Sequence, residues 1–534
     1  MKSSKSSSFS LFLVAMSASS GAMAAACGLG TYSSNGQDTA SGGCIPAPAG
    51  SYVNTIGSTA ATLAEPGRYQ PNPGQTSALL ASPGYYVPFQ GATQANIAQP
   101  GSYVASSGSS SSTLAPPGYF VANTGATSAT AALPGTYVAN SGASAATLAP
   151  PGYFVANAGA TSATAAPIGS FVSIAGASAA VLASAGSYVA STGQASATQV
   201  SPGFYTYAPG ASSQVPAGLM AGPLNSTIRA NEASIRDATS MIDAEGDSTI
   251  KSTFYYQGGS VDQLGQSSGA RQNISFWGLN LSGNIFGSKD EPAGVLANVT
   301  SANYSAGSDG SGNGLGLSIG LFKKLQIETA KFVGTLLFGN YNYNSTRQNL
   351  SQGTVSGTSS NVQSATGNTN VNTYGVNVMG SLPLAAAIPN LDGFLNVAVT
   401  NYAYKGMNES VSGSGSNPSA GLNTSSMNYV SMPTTLGLRY SLMDSSNKVS
   451  LGAISVGYKY DFGKSTTMNM STQSSPSYQF GLPIALTNAR ATVIEISSAN
   501  YELQKDLSLS AAISTEFSSA YSIYQGSLRL RKSF

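Results

Sequence analysis

The chain has 534 residues, of which only 8% are charged, with a net charge of +2, 28 Tyr, two Cys and no His. Soluble domains carry roughly a quarter charged residues, so this composition fits a cytoplasmic globular enzyme poorly. The missing His excludes a Ser-His-Asp triad, a Cys-His dyad and a His-built metal site. So small a net charge provides no field for nucleic acid. Hydrophobic residues make up 41% but form no long apolar run beyond the N-terminus, which excludes a helical membrane protein. A secreted or β-rich envelope protein remains.

Residues 1–26 read as a secretory signal. Lys2 and Lys5 precede the short apolar stretch Leu11–Met16, and Ala22-Met23-Ala24 offers a cleavage site. The apolar stretch is too short to span about 30 Å of hydrocarbon. Cys27 directly after it raises a lipoprotein alternative, but no Leu opens the preceding Ala24-Ala25-Ala26. In an exported chain, Cys27 and Cys44 are expected to pair as one disulfide.

From Gly50 the sequence repeats every seventeen residues. A leading Gly stands at 50, 67, 84 and onward to 203, and a second Gly follows each by seven places. Two places after each leading Gly sits an aromatic: Tyr52, Tyr69, Tyr86, Tyr103, Phe120, Tyr137, Phe154, Phe171, Tyr188 and Tyr205. The Pro-Gly punctuation predicts a turn, and the Tyr-Val or Phe-Val after it an extended piece. Two readings stand. Stacked units would bury the aromatic ladder as a β-solenoid, or the segment is an extended, flexible stalk. No Asp, Glu, Lys or Arg occurs from 69 to 228, so the repeats hold no general acid or base and are expected to be non-enzymatic. The first unit, CGLGTYSSNGQDTASGGC, resembles the Cys-rich repeats of the ephrin-receptor and tumour-necrosis-factor-receptor type. Later units keep only its P-G-x-aromatic and Gly positions.

Charge returns at 225–251. Ser226 or Thr227 is the expected helix cap, and Ile228, Ile235 and Ile242 form a seven-residue stripe. Arg229, Glu232 and Arg236 occupy other faces, Glu232 and Arg236 at i,i+4 spacing. So narrow a stripe suits a polar helix in a water-lined channel; a surface helix linking two domains is the other reading.

From 252 the polarity alternates with period two, as in Leu436–Leu442, Ile454–Phe462 and Leu507–Phe517. Twelve candidate strands are visible, of which about nine are strong. A soluble sandwich also alternates. Three features favour a membrane barrel instead: Tyr near strand ends, a Gly/Ser/Asn-rich polar face, and long hydrophilic loops at 344–370 and 406–427. Phe534 ends the chain, preceded at two-residue steps by Lys532, Leu530, Leu528, Gly526 and Tyr524. This resembles the barrel-assembly signal of outer-membrane proteins, with Lys532 as a departure.

Signal, repeats, helix and terminal barrel together resemble the monomeric autotransporters of type V secretion. The resemblance implies an all-β fold with five parts. They are a signal peptide at 1–26, a Cys-containing unit at 27–48, and a repeat passenger at 49–218. A linker and pore helix at 219–251 and a twelve-stranded barrel at 252–534 complete it. It implies no cofactor and no metal. The partners implied are outer-membrane lipid, the Sec translocon, the barrel-assembly machinery, and a ligand on a host or neighbouring cell, with no nucleic acid. No Asn-Asn pair occurs near Asn225 or Asn231, so the passenger is expected to stay attached and act in adhesion or interaction. A porin-like channel with an envelope-spanning N-terminal arm is the alternative.

Overall fold

The computed structural model describes residues 24–38, 43–243, 248–263, 271–288, 290–348, 350, 364–384, 388–412, 420–443, 450–473, 476–484 and 490–533. The expected signal segment, apart from 24–26, and Phe534 lie outside the described residues. Two compact units are present: Met1–Thr164 with Ile174–Ala179, and Ala165–Ser173 with Ala180–Phe534.

The first unit is a stack of short hairpins. In one repeat, Tyr119–Phe120 pairs antiparallel with Thr130–Ala131. Neighbouring repeats are joined through the backbone. Gly118 N–H donates to Val138 O at 2.8 Å and Val121 N–H to Ala143 O at 3.0 Å, both in the next repeat, and Gly125 N–H reaches back two repeats to Ala98 O at 2.8 Å. Each such bond is worth about 1 kcal/mol net, so stability accumulates interface by interface. The expected buried aromatic ladder is not what forms. Val121 and Ala132, with their counterparts, are the buried ladder, while Tyr52 through Phe154 are half-buried. Each unit has too little interior for a ring, because adjacent backbones approach closely. A Cβ on Gly118, at φ +83°, would lie 2.2 Å from Gly159 O.

In the second unit, twelve antiparallel strands close into a barrel. They are β1 Ser248–Val261, β2 Gln272–Gly287, β3 Pro292–Ser305 and β4 Gly310–Ile327. Next come β5 Ala330–Arg347, β6 Ser364–Pro383, β7 Leu391–Tyr404 and β8 Pro433–Met443. The last are β9 Ser450–Asp461, β10 Arg490–Ser498, β11 Leu507–Phe517 and β12 Tyr521–Ser533. Closure pairs β12 with β1, Tyr524 opposite Gly258. All twelve candidate strands have counterparts, including those the sequence marks as weak. Alternation places Leu436, Leu438 and Tyr440 on the outer surface, exposed. A closed ring leaves no unpaired edge, which is what lipid demands of a sheet.

One helix, α1 Gly222–Asp243, follows a 3-10 turn at Gly218–Ala221. It begins ahead of the expected cap, because Pro223 is tolerated in the first turn, where its missing N–H costs nothing. Ser226 and Thr227 are therefore inside the helix and buried, and the Thr227 hydroxyl donates to Pro223 O at 2.8 Å.

The close backbone approach gives a graded expectation. Gly159→Ala, with φ +74° and nothing within 4 Å of the added methyl, should cost about 1 kcal/mol of left-handed strain. Gly118→Ala should cost clearly more, since a carbonyl oxygen blocks it. Chymotrypsin cleavage rates in the full-length chain measure the difference; trypsin has no site between Arg68 and Arg229.

Candidate functional site in the barrel lumen

The lumen holds α1. Arg229 is 2% exposed and Ile228 1%. Ile235 is also buried, while Ile242 lies on the last turn. The charges of α1 meet charges on the wall. Arg229 contacts Glu232 at 2.6 Å and Glu516 of β11 at 3.3 Å. Arg236 also pairs with Glu516, not with Glu232 as the i,i+4 spacing predicts. Lys459 of β9 bridges Glu232 at 3.0 Å and Glu516 at 2.9 Å. The Arg229 guanidinium covers the Tyr521 ring at 3.7 Å. One turn further on, Asp237 contacts Arg529 at 3.5 Å and accepts from Gln525 at 2.6 Å.

Neutral groups complete the fit. Asn225 donates to Gln272 at 2.9 Å, the Thr227 hydroxyl accepts from Tyr343 at 3.0 Å, and Ser234 donates to Asn280 at 3.0 Å. A residual cavity of about 130 Å³ lies beside the helix, bordered by Glu232, Arg236, Asp392, Arg439, Lys459 and Glu495.

Tyrosines expected in an outer girdle largely turn inward: Tyr255, Tyr304, Tyr341, Tyr343 and Tyr402 are all buried. Glycines opposite them make the room. Gly314 faces Tyr343 and Gly316 faces Tyr341 across β4 and β5, and a Cβ at either would lie 2.1–2.3 Å from the ring. The alternate glycines of 310–316 set against the tyrosines of 341–343 carry this signal in the sequence. The exposed Phe254, Trp277, Phe338 and Tyr374 remain outside.

At the mouth near the start of α1, described residues of the expected loops at 344–370 and 406–427 form strands. β5 runs to Arg347, and Met407–Ser412, Leu422–Thr424, Thr467–Thr472 and Gln479–Pro483 pair as a further small sheet. Arg347 grips Glu409 with Nε at 2.8 Å and Nη2 at 2.6 Å. It also donates to Tyr205 Oη at 3.0 Å and Pro216 O at 3.1 Å. Tyr205, alone among the repeat aromatics, is fully buried. It stacks on Phe480 at 5.4 Å and donates to Ala420 O at 2.7 Å. Burial pushes its phenol up to about 12, against the opposing pull of Arg347, so it keeps its donor proton.

A polar helix threading a twelve-strand barrel, with the preceding chain leaving by the capped mouth, is a secretion geometry. Residues 254–514 match the Autotransporter beta-domain family. The chain carries an autotransporter translocator domain. That family stands in the outer membrane with the chain N-terminal to the barrel on the cell surface, and its barrels are assembled by outer-membrane machinery. The capped mouth is thus the outer one, and β12 ends on the periplasmic side. No curated protein matches the chain significantly in sequence. Similar solved structures include the translocator domain of autotransporter NalP from Neisseria meningitidis, at 14% identity and TM-score 0.47, covering 60% of this chain and 100% of that one. The transport unit of autotransporter AIDA-I from Escherichia coli is 13% identical at TM-score 0.36, covering 58% and 99%. The beta domain of the Bordetella autotransporter BrkA is 14% identical at TM-score 0.35, covering 54% and 100%.

The remaining sequence-singled residues are placed as follows. Cys27 and Cys44 are bonded with Cα atoms 5.5 Å apart. Tyr524, Leu528 and Leu530 point outward from β12, exposed. Among the described residues no group of three or more His, Cys, Asp or Glu is arranged to hold a metal ion. Glu409, Arg347, Glu495 and Arg529 were not singled out, since a lone charge in an alternating strand does not name its partner.

Glu516→Gln leaves buried Arg229 and Lys459 with Glu232 alone and takes away the ion-pair partner of Arg236. The expected loss is about 3–5 kcal/mol. It should appear as a lower temperature for converting the folded, SDS-resistant band to the unfolded one on gels. Adding Lys459→Met should recover part of it.

Proposed function

We propose that residues 27–224 are a non-enzymatic passenger that the barrel exports and holds at the cell surface, acting in adhesion or interaction. The observation that carries this is the run from 69 to 228. It has no charged residue and presents a half-buried aromatic at one position of every repeat down to Tyr188. Such a surface offers many identical weak contacts, which sum by avidity once several engage together. It offers no acid or base for turnover.

The organisation proposed is a signal peptide at 1–26, a disulfide-closed unit at 27–48, repeats at 49–218, a linker and pore helix at 219–251, and the barrel beyond. Export uses the Sec translocon, and Tyr524, Leu528, Leu530 and Phe534 form the stripe read by the assembly machinery. The passenger stays attached through α1, whose Arg229, Glu232 and Arg236 are tied to the wall. A porin-like role gains no support from a lumen occupied by a salt-bridged helix.

Chymotrypsin applied to intact cells tests display. Loss of 27–224 with a protected barrel fragment is the expected result. Full protection of the chain until the outer membrane is permeabilised would establish a periplasmic arm instead.

A further inference from the structure

Strands β4, β5 and β6 run 18, 18 and 20 residues, whereas about ten residues of tilted strand cross the hydrocarbon. Their outer ends therefore stand above the apolar band. The outward face changes character at that height. Leu317, Phe338 and Tyr374 are exposed below, in keeping with lipid. Above them, one row crosses five strands in direct register: Ser275, Asn303, Asn313, Asn344 and Asn368.

The next two rows below, which meet Leu315 and Leu317 on β4, are cross-linked on β5 and β6. Asn340 donates to Asn372 at 2.6 Å, Asn342 to Asn340 at 2.8 Å, and Asn370 to Asn342 at 2.8 Å. A shallow groove of about 620 Å³ runs along the row toward the ends of β1 and β12. Asn is depleted from strands, so a registered row of it over consecutive strands requires a reason beyond sheet stability.

The direction of this face limits what can occupy it. It points away from the lumen and continues the lipid-facing band, so its neighbour is whatever stands directly above the hydrocarbon of the outer leaflet. None of these side chains carries charge, which disfavours phosphate; phosphate calls for Arg or Lys. A carboxamide both donates and accepts, which matches sugar hydroxyls, and beside the row the cross-links hold the carboxamides of Asn340, Asn342, Asn370 and Asn372 in fixed orientations. We propose that this asparagine tier is a binding site for the neutral saccharide headgroup of the surrounding outer-leaflet glycolipid.

Trp277 is the single tryptophan of the chain. It lies exposed on β2 two residues along from Ser275, at the lower edge of the row. Its emission therefore reports binding to the full-length chain in detergent. The probes are lipooligosaccharide with an intact core, the matching lipid A without core sugars, and a phospholipid. Intact glycolipid should bind about tenfold more tightly than lipid A, the equivalent of one or two net hydrogen bonds. The combined Asn313→Leu, Asn344→Leu and Asn368→Leu variant should lose that preference while still migrating as a folded barrel. If it does not fold, the corresponding Asp variant, which keeps polarity but removes the donors, should lose the preference instead. Equal affinity for glycolipid and lipid A overturns the proposal. So does an undiminished preference in a folded variant, or a dimer in detergent with no sugar preference.

Discussion

The structure depends on how a closed barrel fills its own interior. A sheet of twelve strands satisfies its backbone by closing, but it then encloses a space that must hold something. Here that space holds a helix bearing Arg229, Glu232, Arg236 and Asp237. The wall answers with Lys459, Glu495, Glu516 and Arg529. Four cations stand against four carboxylates, so this lattice is neutral although it is densely charged. Glu516 is the centre, since it touches three of the cations. Replacing such a lattice with apolar residues often costs no stability. What it does supply is register: sliding the helix by one turn would part every helix–wall pair together.

The N-terminal repeats solve the opposite problem. They have almost no charge and little apolar volume, so order must come from the backbone. Glycines at φ near +80° let the repeats lie close on one another, and each repeat is joined by two backbone hydrogen bonds to the next and one to the repeat two before it. Because each interface is small, such an array gains its stability in increments. That property agrees with passage through a narrow pore as an extended chain, where a large cooperative core would resist unfolding.

The barrel was legible in the sequence because two-residue alternation is a local signal, and local signals survive in a single chain. Leu436–Leu442 reads correctly strand by strand for that reason. Residues whose role depends on what lies across the sheet were read less well. Tyr341 and Tyr343 look like girdle residues until Gly316 and Gly314 are set opposite them. The repeat aromatics look like core because aromatic burial is the usual source of stability, yet backbones this close leave room only for Val and Ala. The helix start was misplaced because Ser226 and Thr227 are good caps in isolation; Gly222 and Pro223, preceded by a 3-10 turn, begin the helix earlier.

The outer mouth shows how far such reasoning reaches. Tyr205 shares its repeat position with nine other aromatics, and the position itself does not set it apart. Its burial follows from Arg347 at the end of β5 and Glu409 in the short strand Met407–Ser412, each distant in sequence. An arginine that far from water requires a carboxylate in bidentate contact, and Glu409 supplies it. Once that pair is formed, Arg347 has donors left over, and the phenol of Tyr205 and the carbonyl of Pro216 receive them. The hydrogen bonds of one buried cation thus fix the path by which the last repeat runs into α1. Had Glu409 been absent, Arg347 would have had to face water, and Tyr205 would have kept the half-buried place of its counterparts.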